Sequence, residues 1–97
     1  MPVQKSDAAA LFGQRVQAQR ESLKISQEDA AALAEMHVSN FGKIERGLAN
    51  PSLHTIVKIA TALEIDPAKL VFELDADMLP YREHRLTASK LIAARKS

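Results

Sequence analysis

The chain has 97 residues, a formal net charge of +1 and no cysteine. That length holds one compact core and excludes a multidomain sensor or a large catalytic barrel. Without cysteine, neither a disulfide framework nor a thiolate metal site can hold the fold, so hydrophobic burial must. The first sixteen residues carry Lys5, Asp7 and Arg15 with no long apolar run, so neither a signal peptide nor a membrane span is expected, and a soluble cytoplasmic protein is. A balance of +1 neither demands nor forbids nucleic acid. Bases lie toward the ends: Lys5, Arg15, Arg20 and Lys24 against Asp7 and Glu21, then Arg82, Arg85, Lys90, Arg95 and Lys96 against Asp75, Asp77 and Glu83. A phosphate-binding surface must therefore draw on the ends or on a few well-placed central residues.

Residues 1–5 read as a flexible lead-in. Ser6 can cap a first helix from Asp7 to about Ser22, with Leu11, Phe12, Val16 and Leu23 at helical spacing. Ser26 followed by Gln27, Glu28 and Asp29 is an N-cap with acids in the first turn, and the run Ala30 to Ala34 makes a short second helix whose small side chains permit close approach of another. Val38 to Arg46, with Phe41 and Ile44 three apart and Gly47 at the left-handed C-cap position, forms a third. Asn50-Pro51 breaks the pattern. Ser52 then caps a fourth helix with Leu53, Ile56, Val57, Ile59, Ala60 and Leu63 on a broad apolar face. Asp66-Pro67 pairs an N-cap with proline at the first helical position and opens a fifth, through about Phe72. Residues 75–80 read as a turn, and Tyr81 to Lys96 is compatible with a further helix carrying Leu86, Leu91 and Ile92. The pattern predicts an all-α fold: a helical domain over 6–74 and a C-terminal helical extension over 75–97.

Two short helices joined by a short turn, from Ser26 to Gly47, make a helix-turn-helix, whose second helix fits the major groove of DNA. The residues Ile25-Ser26-Gln27-Glu28-Asp29, Lys43-Ile44-Glu45-Arg46-Gly47, Asn50-Pro51-Ser52-Leu53 and Ile59-Ala60-Thr61-Ala62-Leu63 resemble the Xre family of Cro and phage-repressor type over about Phe12 to Phe72. The resemblance implies a five-helix repressor-like domain. In it Gln27 contacts a DNA phosphate and braces the recognition helix; His37, Val38, Ser39 and Lys43 face the groove, with Asn40 at its edge and Phe41 and Ile44 turned inward. It also implies a buried, structural ion pair between Arg20 and Glu45. The chemistry suits these roles: lysine donates to guanine O6 or N7, serine serves several base edges, valine packs on a thymine methyl, and asparagine suits adenine.

Three residues depart from the family pattern. Glu35 stands where relatives have a turn glycine, so it adopts a left-handed conformation or reshapes the turn. His37 replaces a serine or threonine cap. Gly42 lies inside the recognition helix, at a cost of roughly 0.5–1 kcal/mol relative to alanine. His37, His54 and His84 are too scattered for a metal site, and no metal or cofactor is expected. His37 reads either as a solvated turn residue or as a DNA contact, His54 and His84 as surface residues, and the tail bases as a solvated face or a binding arm. Ser39, His37 and Glu35 sit too close along one turn for a catalytic triad, so no enzyme is expected.

The expected function is a transcriptional regulator, a repressor or autoregulator, that reads a palindromic double-stranded operator as a homodimer through the major groove. Leu70, Val71, Phe72, Leu74, Leu79 and Leu86 are the dimer candidates, because the first three helices are committed to core and DNA. The rival expectation is an antitoxin: the same DNA-binding domain, neutralising a toxin partner through its C-terminal segment.

Overall fold

The computed structural model describes residues 6–80 and 86–96. Lys5, Tyr81, Arg82, His84 and Arg85 lie outside them. The chain is all-α, in the order α1 (Asp7–Ser22), α2 (Gln27–Leu33), α3 (Val38–Glu45), α4 (Leu53–Ala62), α5 (Pro67–Val71), a 3-10 turn (Ala76–Met78) and α6 (Ala88–Lys96).

Each of the first five helices but α3 begins on a side chain that accepts from an otherwise unpaired amide of the first turn. Ser6 takes the amide of Ala9, Ser26 that of Asp29, Ser52 that of Thr55 and Asp66 that of Ala68, all at 2.9–3.1 Å. Before α3 stands His37, extended at φ −67° and ψ 140°, whose side chain caps nothing.

The C-termini of α2, α3 and α4 share one device. In the Schellman arrangement a left-handed residue lets two amides close back on carbonyls of the last turn. After α2, Glu35 takes φ 55°, its amide donates to the Ala32 carbonyl at 3.1 Å, and the Met36 amide donates to Ala31 at 2.9 Å. The same pair of bonds follows α4, around Glu64 at φ 55°, and α3, around Gly47 at φ 74°. Lys24 and Glu73 are also left-handed. The residue after each of Lys24, Glu35 and Glu64 is apolar, and all three of these residues (Ile25, Met36 and Ile65) pack against the core. Burial of that apolar neighbour offsets the strain of a side chain in the left-handed region.

The core joins Phe12 and Val16 of α1, Ala30 and Ala31 of α2, Phe41 and Ile44 of α3, Ile59 and Ala60 of α4, Leu63 just after it, and Leu70 of α5. Alanines on α2 let α3 and α4 approach it closely, as small side chains do. At one point α1 and α3 meet backbone to backbone: a Cβ built on Gly13 would stand 2.2 Å from the carbonyl oxygen of Ile44 and 2.6 Å from that of Glu45. Glycine is required there because backbone faces backbone. Arg15 donates from Nη1 to the Leu70 carbonyl at 3.2 Å, and Gln19 from Nε2 to the Leu63 carbonyl at 2.8 Å, fixing the ends of α5 and α4 to α1. No residue of α6 is buried.

Candidate nucleic-acid interface

The second helix of the helix-turn-helix, α3, turns Phe41, Gly42, Ile44 and Glu45 inward and leaves Val38, Ser39, Asn40, Lys43 and Arg46 exposed. Ser39, Lys43 and Arg46 are four and then three residues apart, so they form one stripe along the helix. His37 is exposed at the head of that face.

Orientation of α3 is set by a charged network beneath it. Arg20 of α1 donates from Nε to Oε2 of Glu45 at 2.7 Å and from Nη2 to Oε1 at 3.2 Å, a two-pronged fork on one carboxylate. Its remaining nitrogen, Nη1, donates to the Ile25 carbonyl at 2.9 Å, in the link between α1 and α2. Gln27, in the first turn of α2, completes the set by donating from Nε2 to Oε1 of Glu45 at 2.8 Å. A carboxylate only accepts, which dictates that the amide nitrogen of Gln27 faces it. Glu45 is 1% exposed and thus stripped of water, while Arg20 keeps 12%. The hydrogen bond to Glu45 raises the pKa of Arg20 above its ordinary value, with burial opposing. One carboxylate thereby joins α1, α2 and α3.

Arg46 carries charge on the exposed stripe, and its place was missed by reasoning from sequence alone, where it was only part of a helix ending. The signal was present: Arg46 comes seven residues after Ser39 and three after Lys43. Gln27 is half-buried, holding Glu45 with one N–H of its amide and keeping a second N–H for another acceptor.

The residues expected to form a dimer surface do not share one environment. Leu70 is fully buried and belongs to the core, which corrects the expectation that it faces a partner. It sits on the side of the short helix α5 that packs on α1 and α4. Val71, Phe72, Leu79 and Leu86 are exposed, Phe72 by 63%, and Leu74 is half-buried. Val71 and Leu74 line a shallow apolar groove of about 170 Å³ with Ala8, Phe12, Pro51 and Ile56. Among the described residues no helix is long and apolar enough to cross a membrane.

Comparison with known proteins agrees with this geometry. A family model described as helix-turn-helix (HTH_3) matches residues 16–70, more than half of the chain. The control protein C.BamHI of Bacillus amyloliquefaciens is 42% identical over 62 residues, 63% of this chain and 76% of that protein. The restriction-modification controller protein C.AhdI of Aeromonas hydrophila superposes with a TM-score of 0.63 at 44% identity, covering 64% of this chain and 94% of the controller. The P22 c2 repressor, solved in complex with a synthetic operator, superposes with a TM-score of 0.61 at 26% identity, covering 64% of this chain and 94% of the repressor. The chain belongs to the HTH_3, Xre-type family of helix-turn-helix DNA-binding transcriptional regulators.

Proposed function

We propose that the chain is a cytoplasmic repressor or autoregulator that binds a palindromic operator as a homodimer, with α3 of each subunit in the major groove. The observation that carries this reading is the two-sidedness of α3. Its inner face is locked by Glu45 to Arg20 and Gln27, while its outer face offers Ser39 and Lys43 to base edges, with Val38 placed for a thymine methyl and Asn40 for adenine at the margin. Gln27, His37 and Arg46 flank that face and serve the phosphate backbone. A twofold axis setting two such helices about 34 Å apart would match half-sites one DNA turn apart.

In this reading residues 6–74 bind DNA, while Val71, Phe72 and Leu74 beside the apolar groove, together with Leu79 and Leu86 in residues 75–97, supply the dimer contact. Regulation is steric: a dimer on its operator blocks or recruits the polymerase. The antitoxin alternative rests on the same DNA-binding domain. The control protein and the restriction-modification controller among its relatives favour a regulator over an antitoxin.

Operator binding by Ser39→Ala and Lys43→Ala tests this assignment. Each should cost about 1–3 kcal/mol and relax specificity at the base pair it reads, with thermal stability unchanged. Undiminished discrimination in both variants would remove α3 from base reading.

A further inference from the structure

We propose that α6 is an exchange arm: the α6 of one chain lies in the apolar groove beside α5 of a second copy, its basic end against the acids that border that groove. This rests on the homodimer reading above and names the contact that makes the dimer.

The arm has no support of its own. A helix of 9 residues is too short to persist in water without packing, yet no residue of α6 is buried. Leu91 and Ile92, with Ala88 three and four residues before them, form one apolar ridge. Ile92 on that ridge is 52% exposed, and Leu91 is half-buried. The chain has a radius of gyration of 16.2 Å and extends 56 Å along its longest axis. A compact chain of this length has a radius of about 13 Å. The arm thus reaches away from the domain instead of folding onto it.

The groove is the complementary half. Phe12, Ile56, Val71 and Leu74 line it, and its volume of about 170 Å³ has room for an aliphatic side chain such as that of Ile92; a cavity of about 150 Å³ already admits benzene. The chain neighbours of its lining residues are exposed acids: Asp7 precedes Ala8, Glu73 stands between Val71 and Leu74, and Asp75 follows Leu74. Residues 71–80 hold Glu73, Asp75 and Asp77 and no base, whereas residues 86–96 hold Lys90, Arg95 and Lys96 and no acid. Lys69, two residues before Val71, lies on the other side of α5. Arg95 comes three residues after Ile92 and four after Leu91, so the apolar ridge of α6 runs into a cation, while Lys90 is on the far side of the helix. An apolar ridge ending in a cation matches an apolar groove bordered by carboxylates: burial supplies affinity and opposite charge fixes the direction. Each chain carries one arm and one open groove, so a single twofold operation closes both grooves.

Because the chain has no cysteine, introduced thiols report the joint. Leu74→Cys and Ile92→Cys proteins are mixed, allowed to exchange, mildly oxidised and resolved under denaturing conditions, with circular dichroism as the fold control. Leu53→Cys replaces Leu74→Cys in the control mixture, since Leu53 is 77% exposed and does not line the groove. The first mixture should form covalent heterodimer about tenfold or more faster than the control. Arg95→Glu should weaken the dimer about tenfold in sedimentation equilibrium, and Lys90→Glu should not. A first mixture no faster than the control, Ile92→Cys linking to itself equally fast, or equal losses for Arg95→Glu and Lys90→Glu would each overturn the arm contact. A Leu74→Cys/Ile92→Cys chain that closes its disulfide within one monomer would overturn the exchange in favour of an arm that covers its own groove. A wild type that is dimeric in any of these cases keeps the homodimer reading, whereas a wild type that stays monomeric at the same concentrations overturns both.

Discussion

The Cα of Gly13 in α1 faces the carbonyl oxygen of Ile44 in α3 so closely that a Cβ built on it would stand 2.2 Å away. Backbone cannot yield as a side chain end can, so Gly13→Ala must push α3 off α1. The expected cost is about 2–3 kcal/mol or more, at the upper end of overpacking effects, although alanine is the better helix former. Thermal unfolding checks this, and a variant as stable as wild type would contradict the close approach.

Glu45 answers two donors from two other helices. Glu45→Ala leaves Arg20 largely buried and without its carboxylate, at a cost on the order of 3–5 kcal/mol. Any loss of DNA binding in that variant then reports a misplaced α3 rather than a lost contact. Arg20→Lys keeps the charge but cannot reproduce the fork on Glu45 together with the bond to the Ile25 carbonyl, and should cost about 1–3 kcal/mol. Because the pKa of Arg20 is raised, the stability its charge contributes is fully present below its unfolded pKa and is lost only above the still higher folded one. The stability difference between wild type and Arg20→Ala, measured by denaturant titration, should therefore not decline on this account between neutral pH and mild alkali.

Glu64 ends α4 in the left-handed region at φ 55°, where a side chain is strained. Glu64→Gly should raise stability by about 0.5–1 kcal/mol, the relief of strain exceeding the extra unfolded-state freedom of glycine. Gly47→Ala should do the opposite and more strongly. Its φ is 74° and its Cβ would fall 2.7 Å from the Cα of Ala10. The denaturation midpoints of the two variants should move in opposite directions.

Leu70 and Phe72 are two residues apart and have opposite surroundings, fully buried against 63% exposed. Leu70→Ala should destabilise the fold by about 2–5 kcal/mol through the cavity it leaves. If the proposed homodimer forms through this face, Phe72→Ser should leave the subunit folded, with circular dichroism unchanged, and shift that dimer toward monomer in sedimentation equilibrium. A Phe72→Ser protein that remains dimeric at the same concentrations would move the dimer surface elsewhere.

Helix starts were legible because they are written in single side chains. Ser6, Ser26, Ser52 and Asp66 each precede an apolar repeat, and each caps its helix. Helix ends were less so: Gly47 announces one, whereas Lys24, Glu64 and Glu73 carry no conformational preference for the left-handed turn they adopt. At Lys24 and Glu64 the turn is imposed by the next residue in the chain, since Ile25 and Ile65 must reach the core. Leu70 and Val71 look alike in sequence, and only the docking of the short helix α5 on α1 decides which is buried.

Selection of bound sequences from random duplex DNA by the purified protein tests the central claim most directly. The account predicts enrichment of a palindrome whose half-sites lie about one helical turn apart, bound by two chains, with affinity that falls as salt rises. Failure to enrich any sequence at moderate salt would contradict operator recognition by this chain alone.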